Sequence, residues 1–420
     1  MTTGRIILIA FAALLVTGVV VTTAQLLDAR AQGNARQAAL DPFYTPPEPL
    51  PTTPGTLLRT APLDFADPVE TTDVEGGTAY RMLYVSARPD GTPAASGAMV
   101  FIPDSPAPPE GRPVLAWAHG TVGMGDACAP SRTPRGLADM DVWLEQALAL
   151  GWVVVATDYV GLGTPGPELY LVGQAEANDV VHSVQALRSW DLAQAGNRYA
   201  VYGHSQGGHS ALWAGHLADD IDPSLELVGV AAAAPAALLP EIVGVQWDTA
   251  AGWAIGPEAL VGWQYVDPSL PIAGVLTQAG LDNADRLADE CIEPAALEGY
   301  LRSDLGQDFF SLNPADAPGW AQLIAAQTPP PMPAAMPVFV AQGTADEVVL
   351  AWPNALLQQE WCEAGSTLTV DWLGGVNHMQ AAIVAGPEAI TWIADRFADR
   401  PAPRTCDVAP PVAPEPPPDD

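Results

Sequence analysis

One serine in the sequence lies between two glycines at a spacing typical of a catalytic nucleophile. The stretch Gly203-His204-Ser205-Gln206-Gly207 follows an apolar segment, Tyr199–Tyr202, and precedes a helical one, Ser210–Ala214. A sharp strand-to-helix turn lifts a serine hydroxyl above a sheet, and glycines two residues away avoid a clash of side chains. Ordinary glycine-rich β–α turns can carry the same pattern. A catalytic Ser205 therefore requires a base, an acid and an oxyanion hole elsewhere in the chain.

Elimination identifies the histidine that could accept the serine proton. Where a serine follows a strand in this way, the acid and then the histidine follow it along the chain. The histidines are His119, His182, His204, His209, His216 and His378. Among them only His378 lies beyond the helix after Ser205, in a loop (374–379) before the last predicted helix. His378 is therefore the predicted base, and a structural loop histidine is the alternative.

The acid that orients this imidazole should follow the preceding strand. Pro337–Ala341 is apolar and predicts that strand, and Asp346 lies in the loop after it. Glu347 is a rival because it is the next residue. Asp371 is a weaker rival, since it lies within a predicted strand near His378. The sequence thus predicts Asp346 as the acid.

Two backbone N–H groups should stabilise the negative charge that develops on the substrate oxygen. One belongs to Gln206, directly after the serine. The other should come from the loop after strand Val114–Ala118, where Thr121 is the best candidate and His119 is better suited to bracing the loop. His119 is also a possible pocket residue, as are Asp158 and Tyr159 after the next strand, although a bracing role is the simpler interpretation of Asp158.

The segments around these residues alternate between strands and helices, which predicts a mostly parallel sheet with helices on both faces. A predicted hairpin, Tyr80–Ser86 and Ser96–Ile102, comes first. Predicted strands follow at 114–118, 152–156, 199–202, 227–233, 337–341 and 368–372, with predicted helices at 138–150, 176–191, 351–362 and 381–397. The predicted fold class is α/β.

Composition divides the chain into further segments. Residues 32–70 are predicted to form an extended, Pro-rich lead-in, and residues 71–236 the first part of the core. Residues 237–336 contain helix-like pieces and several tryptophans, and they predict a helical cap or lid inserted into the core. Residues 337–406 complete the core, and 407–420 are predicted to be a disordered, acidic, Pro-rich tail.

The N-terminus resembles an export signal. Arg5 precedes an uncharged run of 16 residues, Ile6–Val21, which suits a signal peptide and is short for a membrane span of about 20 residues. Ala29-Arg30-Ala31 is a plausible cleavage site. Residues 1–31 are therefore predicted to be a signal peptide or, if Thr22–Leu27 lengthens the run, an uncleaved membrane anchor. Both alternatives place the rest of the chain outside the cytoplasm.

Charge and residue types exclude several partners. A formal net charge of -33 is incompatible with the basic face that nucleic acids need, and it argues against electrostatic docking to anionic lipid. The sequence contains no dinucleotide fingerprint, phosphate loop or metal-ligand cluster, so we expect no cofactor and no metal. The four cysteines of an exported chain predict two disulfides with three possible connectivities, free buried cysteines being the alternative.

Taken together, these motifs resemble the secretory lipase family, the lipase A type of yeasts and its bacterial relatives, within the α/β-hydrolases. The resemblance covers roughly residues 41–406. It lies in His119-Gly120-Thr121, Cys128-Ala129-Pro130-Ser131, Asp158-Tyr159-x-Gly161, the segment Tyr202–Gly208, Gly343-x-x-Asp346 and His378. It implies an α/β-hydrolase fold with a helical cap over an acyl tunnel, and a secreted, cofactor-free carboxylester hydrolase.

The resemblance also suggests Ser205, Asp346 and His378 as the catalytic triad. Some family members have an aspartate where this chain has Thr121. Pairing the cysteines by position gives Cys128–Cys291 and Cys362–Cys406, and the first bond would tie the cap to the oxyanion loop.

The predicted reaction is hydrolysis of a small-molecule or lipid ester through an acyl-enzyme intermediate. An apolar cap favours an acyl or aryl substrate over a sugar or a charged peptide. The same triad would also serve a peptidase, an acyltransferase or a polyester hydrolase, and sequence separates these poorly. A non-enzymatic binding scaffold would be expected to have a broken triad, whereas every part is present here.

Overall fold

The apolar segments pair into one large sheet in a computed structural model, which describes residues 31–65 and 74–416. In the described residues the strands are β1 (Leu57–Pro62), β2 (Gly77–Ala87), β3 (Pro93–Pro103), β4 (Arg112–Ala118), β5 (Val153–Val160), β6 (Ala195–His204), β7 (Glu226–Ala233), β8 (Val338–Gly343) and β9 (Leu368–Leu373). Their order across the sheet is β1-β2-β3-β5-β4-β6-β7-β8-β9.

The pairing direction divides the sheet into two parts. Strands β4 to β9 pair in parallel, whereas β1, β2 and β3 form an antiparallel meander that joins them through β5. The carboxyl ends of parallel strands meet at one edge of a sheet, where ligands bind in α/β folds. The loops after β4, β6 and β8 lead to Thr121, Ser205 and Asp346, so the sheet collects the predicted site residues at one edge.

The first described helix is α1 (31–44). Five later helices cover the two faces of the sheet, namely α2 (Trp143–Ala149), α3 (Gly173–Arg188), α4 (Gln206–Ile221), α11 (Ala351–Glu363) and α12 (Ala381–Phe397). Between β7 and β8 the chain forms α5 (Leu239–Gln246), α6 (Ala250–Ala254), α7 (Gly256–Val266), α8 (Gln278–Ala288), α9 (Ile292–Asp304) and α10 (Trp320–Ala326). Residues 31–45 belong to one compact unit and the described chain from Pro46 onward to another.

Successive side chains along each strand point to opposite faces of the sheet, so the core has two layers. On β4, Val114 and Ala116 pack with α3, α4 and α11, whereas Leu115 and Trp117 pack with α2 and α12. Strand β5 lies inside the sheet and is buried over its whole length, as expected for a strand covered on both faces. The predicted α/β architecture, a mostly parallel sheet with helices on both faces, is confirmed.

A helical insertion lies between β7 and β8. It contains α5 to α10, and its own core is built on aromatic side chains, with Trp253, Trp263, Trp320 and Phe309 each at most 2% exposed. Each large apolar side chain that is buried in this way contributes roughly 2–3 kcal/mol. The described residues 237–336 contribute no strand to the sheet. We call this insertion the cap.

A disulfide and a backbone contact hold the cap against the loop after β4. Cys128 pairs with Cys291, with Cα atoms 5.4 Å apart, and the Ile292 N–H donates to the Val122 carbonyl at 2.8 Å. A Cβ atom added to Gly123 would lie 2.2 Å from the Glu290 carbonyl oxygen, so only glycine allows this approach. A second disulfide, Cys362–Cys406, completes the pairing that the resemblance implied.

The lead-in differs from the extended segment that we predicted. Residues 31–44 are helical. Ala and Gln are the commonest residues there and favour a helix, which ends shortly before Pro46. Further on, Leu57–Pro62 adds edge strand β1 to β2 in antiparallel pairing. In the predicted helix 138–150, the α-helical part is Trp143–Ala149.

The tail remains attached to the body beyond residue 407, where we predicted disorder to begin. The Val408 carbonyl accepts a hydrogen bond from Gln358 at 2.7 Å, and the neighbouring Cys406 is held by its disulfide. At the other end of the chain, residues 1–30 of the predicted signal or anchor lie outside the described residues. Among the helices that are described, none combines the length and the hydropathy needed to cross a membrane.

Candidate active site

Ser205 lies in a strained turn between β6 and α4. Its φ is 57° and its ψ is -117°, a backbone conformation that residues other than glycine rarely adopt. A Cβ atom at Gly203 would lie 2.0 Å from the Gly207 carbonyl oxygen, and one at Gly207 would lie 1.9 Å from that of Ala118. Both positions therefore require glycine, which explains the spacing in the sequence. The Ser205 N–H donates to the Ala233 carbonyl at 3.0 Å and anchors the turn to β7.

The structure brings the predicted base and acid to this serine. The His378 Nε2 atom lies 2.9 Å from the Ser205 Oγ, and its Nδ1 atom lies 2.9 Å from an Asp346 carboxylate oxygen. All three residues are buried: Ser205 is 7% exposed, His378 4% and Asp346 6%. An imidazole held in this way can take a proton from the hydroxyl while the carboxylate stabilises the resulting charge.

Asp346 is fixed by the loop that carries it. One carboxylate oxygen accepts the backbone N–H groups of Val348 and Val349 at 3.0 and 2.9 Å. The other accepts the Gln342 amide at 3.2 Å as well as the His378 ring. The rivals are not partners of His378: Glu347 is exposed, and Asp371 lies on β9.

The two predicted oxyanion donors belong to the serine turn and to a loop that packs on it. Gln206 is the first residue of α4, and the first N–H groups of a helix have no partner within it. Its side-chain amide donates to Glu168 at 2.9 Å and Glu176 at 3.1 Å, both buried. On the other side, a Cβ atom at Gly120 would lie 3.4 Å from the Ser205 Cβ, so the loop with Thr121 packs directly on the serine turn.

The side chain of Thr121 is held by a residue that the sequence did not single out. Its hydroxyl lies 2.7 Å from the Tyr170 hydroxyl, and Tyr170 lines a cavity that opens on Ser205. Neither Tyr170 nor the pair Glu168 and Glu176 belongs to a motif. The sequence alone gives no signal for these residues, because their partners are far away in the chain.

The cavity at Ser205 has a volume of about 750 Å³, part of which is open to solvent. It lies between the core and the cap, and its wall is mostly apolar. The lining includes Tyr170, Leu171, Ala236, Leu239, Ile242, Val243, Gln246, Trp247, Ala251, Ile255, Ala259, Trp263, Phe310, Trp320, Val348 and Val349. A cavity of this shape and polarity suits an acyl or aryl group.

The candidate pocket residues His119, Asp158 and Tyr159 do not line this cavity, which corrects our expectation. His119 lies between the Gly120 and Asp158 carbonyl oxygens, at 2.7 and 3.3 Å, and braces the loop. The Tyr159 hydroxyl donates to the His119 carbonyl at 3.2 Å. These contacts connect all three residues to the loop that carries Thr121.

Asp158 is fully buried, and both of its carboxylate oxygens accept from Ser131, one from the backbone N–H at 2.8 Å and the other from the hydroxyl. Burial raises the pKa of Asp158 to about 6, although the bonds from Ser131 oppose the shift. Asp158 thus holds the segment with Ser131, which follows Cys128 in the chain, and this is the bracing alternative.

The buried carboxyl groups predict an alkaline loss of stability. Burial raises the pKa of Glu168 from its ordinary value of 4.5 to about 8, the Gln206 bond lowers it in part, and Glu176 and Asp179 raise it further. The folded state therefore binds more protons than the unfolded chain between these two values, and stability is lost as pH rises through that range. We expect the melting temperature to fall between about pH 5 and pH 8, and to fall less in Glu168→Gln.

A matched variant is Glu145→Gln, which removes an exposed carboxyl group from α2 and should leave the pH dependence of the parent intact. Part of the slope should also remain in Glu168→Gln, because burial raises the pKa of Asp179 to about 7 and that of Asp158 to about 6. Equal slopes for Glu168→Gln and the parent, measured by calorimetry, would contradict the prediction.

Comparison with known proteins relates these observations to a family. The model of the family described as Secretory lipase matches residues 136–404, which is more than half of the chain. Lipase A of Moesziomyces aphidis is 25% identical over 210 residues, 46% of this chain and 43% of that protein, so the match spans less than half of that relative. Lipase 6 of Candida albicans is 25% identical over 404 residues, 87% of this chain and 83% of that protein.

Solved structures share the fold. Candida antarctica lipase A in its closed state superimposes with a TM-score of 0.69 at 19% identity, over 89% of each chain. A rice cell wall degrading esterase, LipA from Xanthomonas oryzae, gives a TM-score of 0.69 at 19% identity, over 83% of this chain and 99% of that one. The chain therefore belongs to the secretory lipase family, a family of carboxylic ester hydrolases with the α/β-hydrolase fold.

Proposed function

We propose that the protein is an exported serine carboxylester hydrolase in which Ser205, His378 and Asp346 form the catalytic triad. The observation that carries the proposal is the continuous chain of contacts from Ser205 Oγ through His378 to Asp346, each 2.9 Å long, at the mouth of an apolar cavity. Family membership supports the ester as the bond that is cleaved.

In the first half of the reaction the Ser205 oxygen attacks the ester carbonyl carbon while His378 Nε2 takes the hydroxyl proton. The carbonyl electrons move to the oxygen, which the N–H groups of Gln206 and Thr121 stabilise. The C–O bond to the alcohol then breaks, and His378 returns its proton to the leaving oxygen. The acyl group remains on Ser205.

In the second half His378 removes a proton from water, and the resulting nucleophile attacks the acyl-enzyme carbonyl. The bond to Ser205 breaks, the serine oxygen regains a proton from His378, and the carboxylic acid leaves. Asp346 stays ionised in both halves and stabilises the imidazolium that forms twice. No cofactor is needed for either step.

The test is hydrolysis of a series of p-nitrophenyl esters from acetyl to palmitoyl, together with labelling by a p-nitrophenyl phosphonate. We expect turnover of at least part of the series and phosphonylation of the peptide that contains Ser205. A long-chain optimum would identify a lipase and a short-chain optimum an esterase. A folded protein that hydrolyses no member and is not labelled would contradict the proposal.

The cavity wall predicts a change of chain-length preference. Ala259 on α7 lines the cavity and is 8% exposed, so phenylalanine at this position would fill part of the volume that an acyl chain occupies. We expect Ala259→Phe to shift the optimum to shorter acyl chains, with kcat/KM for the longest ester lowered about 10-fold, on the order of 1.4 kcal/mol.

The matched control for this variant is Ala296→Phe, which places the same side chain on an exposed position of α9 and should leave the profile of the parent. An Ala259→Phe enzyme with the same profile would mean that the acyl chain does not enter this cavity.

Export is part of the proposal. Two disulfides persist in oxidising compartments, and both lie in the described residues. The N-terminal segment remains predicted as a signal peptide or an anchor. N-terminal sequencing of the protein recovered from the medium and from membranes distinguishes the two.

A further inference from the structure

The residue directly before the nucleophile occupies a position between the base and the oxyanion loop. The His204 ring is 3% exposed and stacks on the His378 ring with centroids 4.9 Å apart. Its Nε2 atom lies 3.0 Å from the His378 carbonyl oxygen. Its Nδ1 atom lies 3.2 Å from an Asp139 carboxylate oxygen, and a Cβ atom at Gly120 would lie 3.2 Å from the same nitrogen.

These contacts constrain the protonation of His204. A carbonyl oxygen and an ionised carboxylate can only accept hydrogen bonds, whereas a neutral imidazole has a single N–H. Both bonds are satisfied together when His204 carries two ring protons and Asp139 is ionised. Burial acts to raise the pKa of Asp139, but the hydrogen bond and charge of His204, with smaller contributions from His119 and His378, lower it overall. Asp139 is thus positioned to act as the counter-ion of His204 when that ring carries both protons.

We propose that His204, held by Asp139, is a positioning residue for the base His378: it fixes the His378 backbone and places a positive charge against the His378 ring. The inference rests on the proposed function, since it concerns the same base. It extends that function to the pH range of the enzyme, because a neighbouring cation disfavours protonation of His378.

The charged groups around His378 set the sign of this effect. Asp346, from the loop after β8, favours the protonated ring. His204, from β6, disfavours it, and Asp139, from the segment before α2, contacts the far nitrogen of His204. His119, after β4, is buried, and burial lowers its pKa, which disfavours its charged form. A cationic His204 beside His378 would therefore keep the His378 ring unprotonated at lower pH than Asp346 alone would allow.

The test compares Asp139→Asn with the parent in kcat/KM against pH. The asparagine amide can donate to an unprotonated His204 Nδ1, so both contacts persist while both charges disappear. We expect the acid limb of the profile to move to higher pH by about 0.5 unit or more, and Asp139→Glu to return it toward the parent. Asp141→Asn, which changes an exposed neighbour, should leave the limb in place.

A second variant removes the hydrogen bonds while it keeps a flat ring. His204→Phe should move the acid limb in the same direction and also lower kcat, with little effect on KM, because the His378 carbonyl loses its donor. A merely structural role would lower kcat or the melting temperature without moving the limb. Acid limbs that coincide with the parent in both folded variants would overturn the proposal.

NMR provides a readout that does not need turnover. In a Ser205→Ala background, the ring signals of His378 should titrate at higher pH when Asp139 is replaced by asparagine, and His204 should remain doubly protonated at neutral pH only with Asp139 present. Identical titrations would overturn the inference even in an active enzyme. Retention of activity by Ser205→Ala would instead contradict the proposed function, so the two failures are distinguishable.

Discussion

Ser205→Ala is expected to lower kcat for p-nitrophenyl butyrate by about 10⁴-fold or more, with little change in KM. Loss of a triad serine removes the covalent step and leaves the oxyanion hole and substrate binding. Ser205 is 7% exposed, and its hydroxyl is bonded to His378, so the truncation removes one oxygen and little packing. Stopped-flow or steady-state release of p-nitrophenol measures the effect.

The fold should persist in this variant, because alanine retains the Cβ atom and the backbone strain of serine at this position. We therefore expect a melting temperature within a few degrees of the parent and complete loss of phosphonate labelling. Ser105→Ala, which truncates an exposed serine, is the matched control and should behave as the parent. Hydrolytic activity that remains in the purified Ser205→Ala protein would disprove the assignment of Ser205 as the nucleophile.

The main residues of this site could be predicted because each is constrained by chain order as well as by type. Glycine is required on both sides of Ser205, because a Cβ atom at Gly203 or Gly207 would lie 2.0 or 1.9 Å from a carbonyl oxygen. His378 could be identified by elimination, since no other histidine lies after the helix that follows Ser205. Asp346 followed from the topology, because a loop after a parallel strand opens onto the same edge as the nucleophile.

Residues that act through distant partners could not be predicted in the same way. Gln342 bonds Asp346 from within β8, and Tyr170 bonds Thr121 across 49 positions of the chain. Asp158 follows a strand at the active edge, just as a pocket residue would, but its carboxylate faces Ser131. Local sequence does not determine to which side such a residue points, because tertiary packing decides it.

Secondary structure outside the sheet core was predicted less well for a related reason. The lead-in has no strong periodicity, so its helix over residues 31–44 and its edge strand Leu57–Pro62 depend on propensity and on pairing with β2. Strand β5 and the segment before Ser205, in contrast, are continuous apolar runs, and their burial in a parallel sheet follows from composition alone.

Asp346→Asn is expected to lower kcat by about 10⁴-fold while the protein remains folded. The carboxylate accepts four hydrogen bonds: two backbone N–H groups on one oxygen, and the Gln342 amide and His378 Nδ1 on the other. An asparagine has one accepting oxygen. If that oxygen accepts the backbone N–H groups, the amide NH₂ faces His378.

An NH₂ group in that position selects the tautomer of His378 that carries its proton on Nε2, and such a ring cannot accept the Ser205 proton. KM should change little, because Asp346 does not line the cavity. Glu347→Gln, at the exposed neighbour, and Asp371→Asn, on β9, serve as matched controls that should retain the activity of the parent. Near-normal turnover in Asp346→Asn, or a comparable loss in either control, would mean that another carboxylate is the acid. A loss confined to Asp346→Asn would support an ionised carboxylate at this position as the group that selects the His378 tautomer.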